Sequence, residues 1–334
     1  MSISRRLALA VAAALVAASV SHAAPLPIRA GWAVVPAQLT AILFAKKDIL
    51  RHYGTSYTYE PIRFRGSAPQ ITALAAGEID IAAFAFSTFG LAIQNAKMED
   101  IRAIGDLYQD GIAGYYTSQY VVRADGPIKT IEDLKGKVLA SNGIGGAIDM
   151  AMRKMLRDHG LEEKRDYSIV EIQFPNMIAT LEEKKVDLAG LVTPFSIEAE
   201  KKGLSRTLFT IKDAMGETQT TLMAARKSFI DKNRAALVDF FEDVQRATRW
   251  YLDPRNHDAA VDIIAKFTKQ PKAEFADWVF TKDDYFHDPD ARPNLAALQN
   301  NLRDQKALDF LKIDIDVAKY ADLSLVDEAA KRPR

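Results

Sequence analysis

One stretch of this chain occurs twice, and the duplication constrains the fold more than any other feature of the sequence. Residues 71–82 (ITALAAGEIDIA) match residues 178–189 (IATLEEKKVDLA) in their order of apolar, small and acidic positions. Each copy predicts a short amphipathic helix, a tight turn, an aspartate (Asp80 or Asp187) and a buried strand. Common helix-strand grammar is the alternative source of such a match, so a second duplicated feature is needed to decide.

That second feature is a strand, a loop with glycine and a helix that begins at a small residue. It occurs over residues 28–43 and again over residues 138–152. The two duplicated patterns occur in the same order in both halves, and a single continuous sheet would not require such a repeat. The sequence therefore predicts two similar α/β lobes.

The sequence also predicts which residues belong to each lobe. We predict a first lobe from residues 24–115 and 222–334, with a second lobe, residues 116–221, inserted between them. After about residue 228 the pattern becomes almost wholly helical, with Leu237, Phe240, Phe241 and Val244 on one face. The polar stretches 111–119 and 217–221 fall where the chain would pass between the lobes, so they are predicted hinges.

The first 23 residues have the pattern of a targeting segment. Arg5 and Arg6 precede an apolar stretch over residues 7–20, and Ser21 and Ala23 offer the small residues that signal cleavage requires. The stretch is shorter than the ~20 residues of a membrane span. We therefore expect the mature chain to begin near Ala24. Two arginines fit both general secretory and twin-arginine export, so the route stays open.

The charge and the cysteine content of the chain limit the class of protein to which it can belong. The chain carries 44 basic and 44 acidic residues, and removal of Arg5 and Arg6 with the leader leaves a net charge of −2, so a nucleic-acid partner is not expected. No cysteine occurs, which excludes disulfides, thiolate chemistry and a lipid-accepting cysteine. An exported binder without an anchor is useful where a second membrane retains it, so we expect a periplasmic monomer.

Several short motifs resemble the periplasmic binding proteins of nitrate, sulfonate, taurine and thiamine-pyrimidine ABC transporters. They lie in family order over most of the mature chain: Gly66-Ser67-Ala68-Pro69, Leu74-Ala75-Ala76-Gly77-Glu78-Ile79-Asp80, Ile131-Glu132-Asp133-Leu134-Lys135-Gly136-Lys137-Val138 and Pro194-Phe195. The resemblance implies a type II periplasmic binding fold, with two α/β lobes joined by two hinge strands. It also implies closure on a small-molecule ligand and docking on a permease in the inner membrane.

One departure from the family bears on the ligand. Many relatives carry an aromatic and an acidic residue before the proline, where this chain has Val192, Thr193 and Pro194. In those relatives the acid commonly faces a cationic part of the ligand. Its absence favours a small organic anion, such as a sulfonate or an aromatic or aliphatic carboxylate.

Candidate binding residues follow the strands, because open α/β sheets bind ligands at the carboxyl ends of their strands. In the first lobe Ser67 is predicted to cap a helix that starts with proline, and Ser87 and Thr88 to cap the next, so free N–H groups would favour an anion. Trp32 would stack on a planar or apolar ligand. The predicted set here is Trp32, Gly66, Ser67, Ala68, Ala85, Phe86 and Ser87.

In the second lobe a glycine-rich loop follows a strand and opens a helix, so its backbone amides could approach a ligand closely. The loop lacks the spacing of a phosphate-binding or dinucleotide fingerprint. The predicted residues are Ser141, Asn142, Gly145, Gly146 and Ala147, together with Thr193 and, at the first hinge, Tyr116.

No catalytic, metal or cofactor site is predicted. The five histidines, His22, His52, His159, His257 and His287, lack metal-ligand spacing and are interpreted as solvated surface residues. Two alternatives to a transport protein remain: a binding protein that reports to a membrane sensor, and an enzyme on the same fold. The family's thiamine-pyrimidine synthase uses a cysteine-rich motif that this chain lacks.

Overall fold

A computed structural model describes residues 24–333 as two five-stranded sheets with helices on their faces. The predicted leader, with its cleavage site and His22, lies outside the described residues. The strands are β1 Leu26–Trp32, β2 Tyr57–Arg63, β3 Ile81–Ala85, β4 Ile101–Asp110, β5 Gln119–Arg123, β6 Lys137–Ser141, β7 Tyr167–Glu171, β8 Leu188–Leu191, β9 Ser205–Thr210 and β10 Thr218–Arg226.

Eleven α-helices are assigned between residues 24 and 333. They are α1 Thr40–Leu43, α2 Pro69–Ala76, α3 Phe86–Gln94, α4 Ala147–Asp158, α5 Phe174–Glu182, α6 Phe195–Lys201, α7 Ile211–Met215, α8 Lys227–Leu252, α9 His257–Thr268, α10 Leu295–Ala307 and α11 Ser324–Ala330. In this part of the chain, none of them is both long enough and apolar enough for a transmembrane segment.

The two sheets have the same architecture. Their strand orders are β2-β1-β3-β10-β4 and β7-β6-β8-β5-β9, and in each the three strands on one side are parallel while the fourth runs antiparallel to its neighbours. The antiparallel strand comes from the segment that enters or leaves the other lobe. The predicted type II periplasmic binding fold is confirmed.

The duplication seen in the sequence is also present at the level of single hydrogen bonds. Asp80 accepts from the Arg29 amide at 2.9 Å and donates its own amide to the Arg29 carbonyl at 2.8 Å. Asp187 makes the same pair of bonds to Val138, at 3.0 and 2.7 Å. Each aspartate thus ties the start of its strand to the neighbouring parallel strand, which explains why both copies carry it.

The tight turn before each aspartate is also the same. Gly77 has φ +72° and Lys184, at the equivalent position, has φ +60°. The left-handed conformation ends the helix and is free of strain for glycine but costs a side-chain-bearing residue ~1 kcal/mol. The second copy therefore keeps the turn geometry without the residue that most favours it.

The chain passes between the sheets twice, between Asp110 and Gln119 and between Met215 and Thr218. Of the second predicted hinge, only Glu217 lies in this crossing, since β10 already pairs within the first sheet from Thr218 onwards. The lobe boundaries given above, and the residues that rotate during closure, stay predictions.

The C-terminal helices complete the first lobe. The predicted apolar face of α8 is buried, with Leu237, Phe240, Phe241 and Val244 each almost inaccessible to solvent. Phe240 stacks on Phe44 at 5.5 Å between ring centroids. Each such burial stabilises the fold by ~1.5–3 kcal/mol, so this helix anchors β2, β10 and α1 from one side.

Candidate functional site

The loops that follow the carboxyl ends of the strands meet where the two lobes face each other. Ala147 and Met150 of α4, in the second lobe, belong to the same buried apolar cluster as Phe86 and Phe89 of α3, in the first lobe. A Cβ at Gly145 would lie 3.8 Å from the Leu91 side chain. The starts of α3 and α4 therefore face each other across the interlobe boundary.

Polar contacts join the lobes around this boundary. The Arg153 guanidinium lies over the Phe310 ring at 5.2 Å, and Arg157 donates to the Ala307 carbonyl at the end of α10. Within the first crossing, the Tyr116 hydroxyl donates to Ser196 Oγ of α6 at 2.7 Å, which holds the crossing against the second lobe. Lobes in contact enclose whatever lies between the strand ends, so polar groups there must be satisfied by protein or by ligand.

Three predicted site residues present buried hydroxyls at these strand ends. Ser87, Ser141 and Thr193 follow or end β3, β6 and β8, respectively, and each is at most 1% exposed. Their hydroxyl oxygens find no hydrogen-bond partner among residues 24–333. A buried polar group without a partner costs ~1–3 kcal/mol, so these hydroxyls, drawn from both lobes, are open to a bound molecule.

Trp32 ends β1 and is partly exposed, but its ring is already in contact with protein. Phe267 of α9 lies 5.7 Å away between ring centroids, and the Arg63 guanidinium lies over the indole at 5.5 Å. The indole therefore keeps limited surface for a ligand and brings one cation close to the strand end. Arg63 and the neighbouring Arg65 are both exposed.

The predicted helix caps of the first lobe are wrong. Ala68, not Ser67, occupies the cap position of α2, and Ser67 Oγ accepts from the Ala85 amide at 3.1 Å. The hydroxyl thus joins the loop after β2 to the end of β3, while Gly66, beside it, receives a bond from Gln70 on its carbonyl. Pro69 does open α2, as predicted.

Ser87 and Thr88 lie inside the first turn of α3 and do not cap it, because Ala85 occupies the cap position and makes no side-chain bond there. Phe86 is fully buried in the apolar cluster, and Ala85 is buried beside it. Of this segment, only the Ser87 hydroxyl and the first amides of α3 remain as polar groups that a ligand could reach.

The glycine-rich loop uses two of its amides internally, contrary to the open donors expected there. The Gly145 amide donates to Asp149 Oδ2 at 2.8 Å, and the Gly146 amide donates to the Gly143 carbonyl at 3.1 Å. Gly146 is the cap of α4, so the first-turn amides of that helix begin at Ala147. Asn142 offers its carbonyl to Gln173.

Sequence reasoning missed a buried ion pair in α4. Asp149 is fully buried and bonds Arg153 at 2.9 Å, and Arg153 also bonds Glu163 at 2.7 Å. Burial raises the pKa of the Asp149 carboxyl even with the arginine beside it. The i, i+4 spacing was the signal available in the sequence, but such pairs usually lie on solvated helix faces.

A second buried acid organises the first crossing. Asp110 accepts from the amides of Gly111 and Ser118, at 2.6 and 2.7 Å, and from the Ser118 hydroxyl at 2.7 Å. Burial raises the pKa of this carboxyl to about 7. Tyr116 lies within the same crossing and packs edge-on against Tyr285 at 5.4 Å, so it supports the crossing as well as the α6 contact.

The interpretation of the histidines as surface residues is wrong for His287. This side chain is 3% exposed, its Nδ1 bonds the Leu107 carbonyl at 2.9 Å, and burial lowers its pKa to about 4. His159 and His257 are more accessible, and His52 is half-buried beside Glu242 at 2.9 Å. Within residues 24–333, no group of three or more metal-ligating side chains occurs.

Comparison with known proteins identifies one matching family and several similar binding proteins. A family model described as the NMT1-like family matches residues 24–265. The nitrate/nitrite binding protein NrtA of Synechococcus elongatus is 27% identical over 160 residues, which are 46% of this chain and 36% of that protein. The match therefore spans little more than a third of that relative's length.

Solved structures extend the likeness in fold over nearly the whole chain. The periplasmic nitrate-binding protein NrtA of Synechocystis PCC 6803 matches with a TM-score of 0.72 at 18% identity, over 92% of this chain and 89% of that one. The aliphatic sulphonate binding protein SsuA of Escherichia coli matches with a TM-score of 0.71 at 18% identity, over 90% and 92%. The desulfurization enzyme DSZB shares the fold at a TM-score of 0.63 and 14% identity, over 92% and 100%.

Proposed function

Because this chain belongs to the NMT1-like family, we propose that it is the periplasmic solute-binding component of an ABC importer. It captures a small molecule between its lobes and presents the closed form to a permease in the inner membrane. The observation that carries the proposal is the set of buried hydroxyls without partners, Ser87, Ser141 and Thr193, contributed by both lobes at the carboxyl ends of their strands.

The ligand we propose is a small organic anion, a sulfonate or a carboxylate. The helices α3 and α4 start at the interlobe boundary, and helix N-termini favour negative charge through their open amides and dipole. Hydroxyls donate readily to anionic oxygens, and Arg63 adds a cation at the Trp32 ring. Arg153 pairs with both Asp149 and Glu163 and so offsets part of their negative charge, which would otherwise disfavour an anion.

A thermal-shift screen of alkanesulfonates, aliphatic and aromatic carboxylates and nitrate tests the ligand class. At a hundredfold excess over Kd, a true ligand stabilises the folded protein by ~2.7 kcal/mol, which gives a clear increase in Tm. Matched alkylamines serve as the control, since the site should reject them. Stabilisation by the amines alone, or by none of these compounds, would exclude an organic-anion site.

Closure is tested by small-angle scattering. Arg153 and Arg157 contact the first lobe from the second, and we interpret these contacts as those of a closed form, so saturating ligand should lower the radius of gyration in solution. An unchanged radius would mean a rigid pocket or a ligand-free form that is already closed. Loss of uptake after deletion of the gene separates a transport role from reporting to a membrane sensor.

We also propose that the chain has no catalytic activity, although one protein of the same fold is an enzyme. Cysteine is absent from the sequence. Between residues 24 and 333, no serine or threonine hydroxyl is bonded to a histidine ring, the usual arrangement for an activated nucleophile. Release of the screened ligands unchanged after prolonged incubation is the expected result.

A further inference from the structure

Helix α10 directs two amide side chains into the first lobe beneath the start of α3. Asn301 and Gln305 are both fully buried and lie one turn apart, so they share one face of the helix. Nothing in the sequence pattern of α10 marked them as site residues.

Each amide is fixed at one end, which determines what its other end offers. The backbone N–H of Gln219 donates to Asn301 Oδ1 at 3.0 Å, which leaves Asn301 Nδ2 as the free end of that side chain. Nδ2 is a donor, and it has no partner in the described chain. Gln305 Nε2 donates to the Ser87 carbonyl at 2.9 Å, so Gln305 Oε1 is an acceptor that likewise remains unpaired there. The unpaired hydroxyl of Ser87 lies on the same residue that Gln305 contacts.

The wall opposite Gln305 is adapted to hold this side chain. A Cβ at Gly90 of α3 would lie 2.7 Å from Gln305 Oε1, so a side chain there would displace the end of Gln305. The buried network around Asn301 also contains a carboxylate, since Gln219 Nε2 donates to Asp106 Oδ1 at 2.6 Å. Among residues 24–333, Asn301, Gln305 and Gln219 make no side-chain hydrogen bond to a lysine or arginine. An anion would find no positive partner there.

This polar face adjoins the interlobe site. Ser87 is shared by both, and the last residue of α10, Ala307, accepts a bond from Arg157 of the second lobe. A group bound between Asn301 and Gln305 would therefore extend from the strand end of β3 towards the inside of the first lobe.

We propose that α3, β10 and α10 enclose a subsite for one hydroxyl-type group, which accepts from Asn301 Nδ2 and donates to Gln305 Oε1. A fully ionised oxyanion only accepts, so it would leave Gln305 unsatisfied, whereas a hydroxyl or a water satisfies both amides. The group is either a hydroxyl of the bound ligand or an ordered water. Where the ligand supplies it, the inference rests on the proposed function and adds that the ligand is a hydroxylated anion.

The first experiment needs no ligand. A crystal structure of the wild-type protein, resolved well enough to show ordered water, should contain an oxygen within hydrogen-bond distance of both Asn301 Nδ2 and Gln305 Oε1. Asn301→Asp changes the donor to an acceptor at constant shape and should lower Tm, because two acceptors then face each other. Asn300→Asp makes the same change at an exposed position of α10 and should leave Tm nearly unchanged.

The second experiment compares two probes, 2-hydroxyethanesulfonate and ethanesulfonate, by calorimetry. If the ligand supplies the hydroxyl, wild type should prefer the hydroxylated probe by about tenfold, and Asn301→Asp should abolish the preference while Asn300→Asp retains it. Equal affinities, with the oxygen retained in crystals of both complexes, would identify it as water.

The outcomes separate the two proposals. If neither sulfonate nor any other anion binds, the proposed ligand class fails, and the crystal and Tm measurements still decide the subsite. A ligand-free crystal with no oxygen between Asn301 Nδ2 and Gln305 Oε1, together with equal Tm values for Asn301→Asp and Asn300→Asp, overturns the subsite whatever the ligand proves to be.

Discussion

Gly111 and Gly216 bring the two interlobe crossings into backbone contact. A Cβ at Gly111 would lie 2.4 Å from the Gly216 carbonyl oxygen, and both residues have positive φ, +78° and +69°. The crossings are therefore not independent linkers, because any side chain at Gly111 would push them apart.

The first prediction concerns this contact. Gly111→Ala should lower the free energy of unfolding by ~2–4 kcal/mol, since it combines the cost of a left-handed conformation with a backbone clash. Gly114→Ala is the control: Gly114 has φ +79° and no atom within 4 Å of its added Cβ, so only ~1 kcal/mol should be lost. Urea unfolding measures both, and equal losses would mean that the crossings separate without cost.

The second prediction concerns the pH dependence that Asp110 confers. Burial raises its folded-state pKa from 3.8 to about 7, so the folded protein binds more protons than the unfolded chain between these values. The stability that Asp110 contributes should be greatest below the lower pKa and should fall as the pH rises through this window. Asp110→Asn should remove part of this slope, and a part only, because burial raises the pKa of Asp106 and Asp284 to about 7 as well.

Asp133→Asn is the control for this slope. Asp133 is exposed, and bonds from the amides of Lys129 and Thr130 lower its pKa. Its titration thus lies at lower pH, and the substitution should leave the slope between pH about 4 and about 7 unchanged. Urea unfolding across that range decides, and an Asp110→Asn slope identical to wild type would contradict the assignment.

The third prediction uses the buried hydroxyls. Thr193→Val and Ser141→Ala should each raise the stability of the ligand-free protein by ~1 kcal/mol, because they remove an unsatisfied polar group. They should also weaken ligand binding about tenfold, because the ligand loses a hydrogen bond. A gain in stability together with a loss of ligand affinity distinguishes a hydroxyl that binds ligand from one that supports the fold.

Thr210→Val provides the matched comparison. The Thr210 hydroxyl caps α7 and accepts from the Asp213 amide, so its loss should lower stability by ~1 kcal/mol and leave ligand affinity unchanged. Calorimetry and thermal unfolding of the variants give both readings. Unchanged affinity in Thr193→Val and Ser141→Ala would remove these hydroxyls from the site.

The fourth prediction concerns export. Protein recovered from a periplasmic extract should begin near Ala24, because Ser21 and Ala23 satisfy the requirement for small residues at the cleavage position. Ala23→Leu should block processing and leave a longer chain. N-terminal sequencing decides, and a mature wild-type chain that still carries Arg5 would contradict a cleaved leader.

The sequence by itself determined the two lobes and their internal order. The duplicated segments predicted equivalent helices, turns and strands, and Asp80 and Asp187 prove to make the same backbone bonds in the two sheets. The apolar spacing also predicted the buried face of α8. The duplicated segments and the apolar face of α8 depend on periodicity within short stretches, so the sequence predicts them. The aspartate bonds span 51 and 49 positions, and only the structure shows them.

Only the tertiary structure decided which polar groups are bonded and which remain open. Ser67 bonds Ala85 instead of capping α2, and Gln305 reaches the Ser87 carbonyl across 218 positions of sequence. His287 is buried by β4, and Gly145 gives its amide to Asp149. Hydrogen bonds between distant segments produce no periodic pattern in the sequence. A polar residue has the same donors and acceptors whether its partner is solvent, backbone or ligand, so the sequence does not show which partner it has.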